Sequence, residues 1–178
     1  MVTAMLGVLS GCAGSVAAPD EVTTALPAAT KVSLKLASIS GEVAPGVVMT
    51  PDARDRLLQE VKAEITAKHP NMWVADNAPA APGTANLKII FTQYDDGNAF
   101  ARFMLAGLGQ IHIDGTVIFT DAHTGQPIGN YRVSKDFSFG GIYGVATRIE
   151  DVEKGFARSV AAILDTQQSS ILARMPAG

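Results

Sequence analysis

His112 and Asp114 stand two residues apart in a stretch of alternating polarity. On a strand both side chains would leave the same face, as two ligands of one metal ion do. Two ligands do not close a coordination sphere. The other histidines, His69 and His123, fall at a helix end and in a turn, where no spacing brings them in. The single cysteine, Cys12, excludes an internal disulfide framework and any cysteine-cluster metal site. Nucleophilic chemistry finds no better footing, because no serine sits in a Gly-x-Ser-x-Gly elbow. The run Gly140-Gly141-Ile142-Tyr143-Gly144 precedes a helix start, where amides could face an anion, but it lacks the Gly-Lys-Ser/Thr ending of a phosphate loop. Asp95-Asp96-Gly97-Asn98 has the composition of a calcium loop without its later ligands. We therefore expect no metal, no cofactor and no catalytic residue, and read the His112/Asp114 face as a solvated polar surface.

That face belongs to the stretch around which the chain is organised, residues 110–137. Ile111, Ile113, Val117 and Phe119 alternate with Gln110, His112, Asp114, Thr116 and Thr120, which is strand periodicity. A turn follows over residues 121–127, with Asp121, Gly125 and Pro127 as its breakers. Alternation then resumes with Tyr131 and Val133 against Asn130, Arg132 and Ser134. The hairpin has one apolar face, which helices elsewhere in the chain must cover.

Before the hairpin, Val32, Leu34 and Leu36 alternate with Lys31, Ser33 and Lys35 and predict a half-buried strand, followed by a Gly/Pro loop over 40–48. Thr50 as N-cap, Pro51 at the first helical position and Asp52 in the first turn predict a helix running to about Lys68. Its apolar side is Leu57, Leu58, Val61 and Ile65, and Arg54, Arg56, Glu60, Lys62 and Glu64 read as a solvated face. His69-Pro70 ends it, and residues 72–75 suggest a short strand. A longer strand is expected over 85–94, with Leu87, Ile89 and Phe91 on one side and Asn86, Lys88, Thr92 and Tyr94 on the other. Phe100, Phe103, Met104, Leu105 and Leu108, with Arg102 as the one charge among them, form either a helical turn over the sheet edge or an exposed contact patch. After a Gly/aromatic loop over 137–145, Thr147 to Glu150 have the spacing of a capping box. Ile149, Val152, Phe156, Val160, Ile163 and Leu164 then recur at helical spacing. The order is that of an α+β fold: a mainly antiparallel sheet of four to five strands with two helices packed on one face.

Length and composition bound the class. A chain of 178 residues that is 47% hydrophobic suits one domain with a sizeable core, expected over 31–170 with a frayed end over 171–178. The formal charge of −3 is mild and the basic residues are scattered, so no nucleic-acid footprint is present.

The N-terminal run ending Leu9-Ser10-Gly11-Cys12 resembles a bacterial lipobox, in which an apolar residue and two small residues precede the lipidated cysteine. The resemblance implies a signal peptide over 1–11, cleaved before Cys12, with acylation (palmitate among the chains) of that residue. Ala13 after the cysteine would imply sorting to the outer membrane of a Gram-negative cell, facing the periplasm. No Lys or Arg precedes the apolar run, so we expect the natural start to lie upstream. Nothing else is long enough to span a bilayer, which takes ~20 consecutive apolar residues. Residues 12–30, rich in Ala, Pro, Ser and Thr, read as the lipidated cysteine and a flexible tether.

A second resemblance rests on Asn98-Ala99-Phe100-Ala101-Arg102-Phe103 through Gly107-Leu108-Gly109, an alternating strand, and the turn Asp121-Ala122-His123-Thr124-Gly125. This pattern is similar to that of an uncharacterised family of bacterial lipoproteins, domain of unknown function forty-four ten. It implies a periplasm-facing, lipid-anchored protein and carries over no catalytic residue. The expected function is accordingly non-enzymatic: a lipid-anchored domain that binds or scaffolds another envelope protein. The candidate contacts are the polar face (Lys88, Tyr94, His112, Asp114, Arg132) or the patch containing Phe100, Arg102 and Phe103. The alternatives are a periplasmic small-ligand binder or envelope enzyme using the loop over 137–147, and self-assembly into an oligomer through an exposed strand edge.

Overall fold

The computed structural model describes residues 16–19, 21–75, 81–97, 110–137 and 146–165. In chain order the elements are β1 (Glu21–Thr24), α1 (Ala28–Ser33), β2 (Lys35–Val43), α2 (Pro51–Lys68), β3 (Thr84–Asp95), β4 (Ile111–Asp121), β5 (Pro127–Phe137) and α3 (Ile149–Ala162). The strands form one five-stranded sheet in the order β1-β5-β4-β3-β2. Three of the four pairings are antiparallel, and β2 runs parallel to β3. The parallel pair follows from its connection: β2 returns through α2, and a crossover helix brings the next strand back in the same direction. The fold is α+β with a mostly antiparallel sheet, as the pattern predicts.

Alternation gives the sheet two unlike faces. Leu87, Ile89 and Phe91 of β3, Ile111, Ile113, Val117 and Phe119 of β4, and Tyr131 and Val133 of β5 point to the core and are buried. Both long helices lie on that face. Ala53, Leu57, Val61 and Ile65 of α2 recur every fourth residue and are all buried, so the helix shows the sheet one continuous stripe. The Thr50 hydroxyl caps it, accepting from the Ala53 amide at 3.2 Å. In α3 burial extends almost around the helix, because it is packed against α2 as well as β4 and β5. Its start lies one residue beyond the expected box: the Asp151 carboxylate accepts from the Arg148 amide at 3.0 Å.

Two stretches differ from expectation. The strand expected from Lys31 begins only at Lys35, because Ala28–Ser33 is a helical turn after Pro27. Burial there runs against the alternation, since Val32 is 77% exposed and Lys31 only 7% exposed. Good helix formers beside a proline at the cap override a period of only three residues. The expected tether over 12–30 is also shortened from its C-terminal side. Glu21–Thr24 pairs with β5, Leu26 is buried in the core, and the Leu26 amide donates to the Tyr131 hydroxyl at 2.5 Å. The loop over 40–48 is shorter than expected, as β2 runs on to Val43. Residues 72–75 supply a single parallel bridge, Trp73 to Leu36.

At Gly115 the sheet leaves room for the ring of Phe156 from α3. A Cβ there would lie 2.9 Å from Phe156 Cζ and 3.3 Å from Ile89 Cγ2. Gly115→Ala is expected to cost about 1–3 kcal/mol by overpacking. In urea unfolding, Phe156→Leu should recover part of that loss in the Gly115→Ala background. Strictly additive losses would contradict the contact.

Candidate functional site

Lys88, His112, Asp114 and Arg132 project from the sheet face opposite α2 and α3, as the strand periods predict. Pairing of β4 with β5 sets Asp114 opposite Ser134, His112 opposite Asp136, and Thr116 opposite Arg132. The side chains join into a network. His112 Nε2 lies 2.8 Å from Asp114 Oδ1, Arg132 Nη2 donates to Asp114 Oδ2 at 3.3 Å, and Ser134 Oγ lies 3.4 Å from His112 Nε2. Asp114 is 5% exposed, although it sits on the polar face. Burial alone would raise its carboxyl, but the Ser134 hydroxyl, His112 and Arg132 together outweigh burial and hold it below the usual carboxylate range. At the other end of the face, Lys88 pairs with Glu42 at 2.7 Å.

Serine, histidine and aspartate in contact invite comparison with a hydrolytic triad, and the geometry rules that comparison out. In a triad the carboxylate orients one imidazole nitrogen while the other takes the serine proton. Here Asp114 and Ser134 both approach Nε2, so the carboxylate occupies the nitrogen that a base would need. Among the described residues no three His, Cys, Asp or Glu side chains come together as metal ligands.

Tyr94 is not on this face, contrary to the simple alternation. The β3–β4 register runs evenly to Phe91↔Gly115 and then slips, so that Gln93 faces Asp114 and Tyr94 faces Ile113. One extra residue, Thr92, forms a bulge, and every side chain after it changes sides. Tyr94 thereby turns to the helix face, where its hydroxyl donates to Glu153 Oε1 at 2.8 Å. Arg56, expected on a solvated face, closes the group. Its Nε and Nη2 donate to the two oxygens of Glu153 at 2.9 and 2.8 Å. The Glu153 side chain is only 3% exposed, whereas that of Arg56 is 45% exposed. The hydrogen bond to Glu153 raises the Arg56 pKa further, and burial together with Glu153 raises that of Tyr94. Glu64, another member of the expected solvated face, accepts from Arg158 at 3.0 Å. The Arg56 group borders a cleft of about 760 Å³ between the β2–α2 loop, the end of β3 and Ile149. Sequence reasoning missed this group, although an acid inside the apolar stripe Ile149, Val152, Phe156 was a usable signal.

The Asp121-x-x-Thr124-Gly125 motif is a turn, held by one carboxylate oxygen. Asp121 Oδ1 accepts from the amides of His123 and Thr124 and from the Thr124 hydroxyl at 3.0, 2.7 and 2.9 Å, and Gly125 takes φ +71°. Cys12 with Leu9, Ser10 and Gly11, the patch with Phe100, Arg102 and Phe103, and the Gly140–Gly144 run lie outside the described residues.

Removing Arg56 should strand a buried carboxylate. Arg56→Met is expected to destabilise by about 3 kcal/mol, whereas Arg56→Met with Glu153→Leu should return close to the parent. Equal losses in the two urea titrations would show that the pair does not act as a unit. At Asp114 the folded pKa lies below the unfolded one, so its stabilisation is fully present above the ordinary value of 3.8 and is lost as pH falls through the folded value. Asp114→Asn should therefore be less stable than the parent near neutrality, with the difference shrinking below about pH 4. A pH-independent difference would contradict the network.

The fold is shared with solved structures. A PelC dodecamer from Paraburkholderia phytofirmans matches with a TM-score of 0.56 at 14% identity, covering 81% of this chain and 94% of that one. A single-substitution form of the same dodecamer matches at 0.53 over the same shares, also at 14% identity. At that identity the likeness is one of fold. No curated protein matches the chain. The model of the family described as "Domain of unknown function (DUF4410)" matches residues 47–141, which hold α2, β3, β4 and β5 with Arg56, Tyr94, His112, Asp114 and Arg132. That segment is more than half of the sequence, and the chain belongs to the DUF4410 family.

Proposed function

We propose that this chain is a non-enzymatic lipoprotein, anchored through acylated Cys12 to the periplasmic side of an outer membrane, whose domain binds or scaffolds another envelope protein. The observation that carries the reading is the network of His112, Asp114, Arg132 and Ser134, built on the sheet face against which neither long helix packs. Side chains fixed on paired strands present a contact surface of defined shape at small entropic cost. The convergence of Asp114 and Ser134 on one imidazole nitrogen argues for binding over catalysis. The lipobox supports the anchor. Acyl chains contribute ~0.8 kcal/mol per buried methylene, so two or more make a lasting attachment.

Self-assembly is a second reading. It is favoured by the dodecameric state of the fold's solved relative and by β2, which ends the sheet opposite β1. Light scattering on the detergent-extracted protein should then give one fixed mass well above the protomer; a monomer would remove this reading.

Intact mass of membrane-extracted protein should exceed that calculated for the polypeptide starting at Cys12 by the acyl groups, and a mass equal to the unmodified polypeptide would refute the anchor. Crosslinking on intact envelopes followed by affinity capture should recover a discrete partner. Arg132→Glu is expected to reduce that capture at least tenfold, because a repulsive charge in a contact costs more than a lost one. Unchanged capture would move the contact off this face.

A further inference from the structure

On the opposite side of the domain from the Arg56 group, the end of α2 opens into a second cleft, of about 770 Å³. Its lining includes Lys31 of α1, Lys35 of β2, Lys68 and His69 at the end of α2, and Asp165 after α3. One carboxylate therefore faces three lysines and a histidine gathered from separate elements. Lys31 Nζ reaches the Asp165 carbonyl at 3.3 Å, and Lys68 Nζ lies 3.5 Å from Asp165 Oδ2. His69 Nε2 is 3.2 Å from Asp165 Oδ1 but buried without the alignment of a hydrogen bond. Lys35 Nζ is held by the Asn71 carbonyl alone. Asp165 alone cannot neutralise three lysines, and the cleft keeps an excess of positive charge. Val32, 77% exposed, stands on its rim.

The chain's own path brings this cleft near the anchor. The Ala17 amide donates to Ser159 Oγ on α3 at 2.9 Å, so the domain begins there, well before the expected end of the tether. Five Cα-to-Cα steps lead from Cys12 to Ala17, and at ~3.6 Å each they reach at most about 18 Å. From Ser159 to Asp165 is a further helical rise of about 9 Å. An acyl group on Cys12 would thus hold the lysine cleft within about 27 Å of the anchor.

We propose that this cleft seats the phosphates of anionic phospholipids in the leaflet that carries the anchor, so that the domain lies on the membrane with Val32 toward it. The proposal takes its proximity from acylation of Cys12 and its chemistry from the lysines, and the two can be tested apart.

The full chain with Cys12→Ser, which cannot be acylated, is floated with vesicles of phosphatidylcholine alone or mixed with phosphatidylglycerol. It should bind the mixed vesicles, and binding should fall as salt is raised. A lysine beside an anionic surface is worth roughly fivefold in affinity, so Lys35→Gln with Lys68→Gln should weaken binding by roughly twenty-fivefold. Lys154→Gln, exposed in the first half of α3 and outside the cleft, should leave it unchanged. Equal binding to neutral vesicles, an equal loss with Lys154→Gln, or no loss with the double variant would overturn the proposal. So would retention of inorganic phosphate by the cleft without vesicle binding. Failure of the anchor itself is read separately, from the intact mass of the native chain.

Discussion

The ring of Phe156 rests against the bare backbone of Gly115, and that approach sets how closely α3 can lie on the sheet. Much else follows from it. One turn toward the start of α3, Glu153 is carried to the sheet end where Tyr94 and Arg56 meet it. One turn toward its finish, Ser159 meets the entering chain at Ala17. A single helix thus fixes the core, the buried ion pair and the point where the N-terminal segment joins the domain. With the apolar face covered by α2 and α3, the other face is left to polar side chains.

Three carboxylates show how surroundings decide what an acid does. Glu153 is shut away and satisfied by three donor contacts from Arg56 and Tyr94, which ties α2, α3 and β3 together. Asp114 is nearly as enclosed but lies on the outer face, where it organises His112 and Arg132 into a fixed constellation. Asp165, on a cleft rim, is outnumbered by its cationic neighbours. Similar groups thus serve a structural tie, a presented surface and an attractive basin, according to how completely their partners balance them.

Long periodic segments carried most of the fold in the sequence. The hairpin, α2 and α3 were legible because each repeats its period over ten or more residues, and the Asp121 turn because its breakers cluster. Residues 31–36 were not, since three alternating apolar residues fit a strand as well as the turn of helix that Pro27 begins. Of the candidate contacts, Lys88, His112, Asp114 and Arg132 stand on one face as alternation requires. The Arg56–Glu153 pair, separated by 97 residues, leaves no local periodic trace in α2. Tyr94 was misplaced because a bulge depends on how two strands pair, which neither strand's own residues reveal.

That bulge makes β3 a strand of two phases. Before Thr92 the odd-numbered residues face the helices; from Gln93 onward the even-numbered ones do. If Thr92 were instead taken into the ladder, it would pair with Asp114, and Tyr94 would fall opposite His112, on the outer face and away from Glu153. Deleting Thr92 would leave every later pair as it is. The bulge thus lets β3 carry one residue more than its partner while the phenol still meets the acid, so its place along the strand, more than the strand's length, is what the buried group requires.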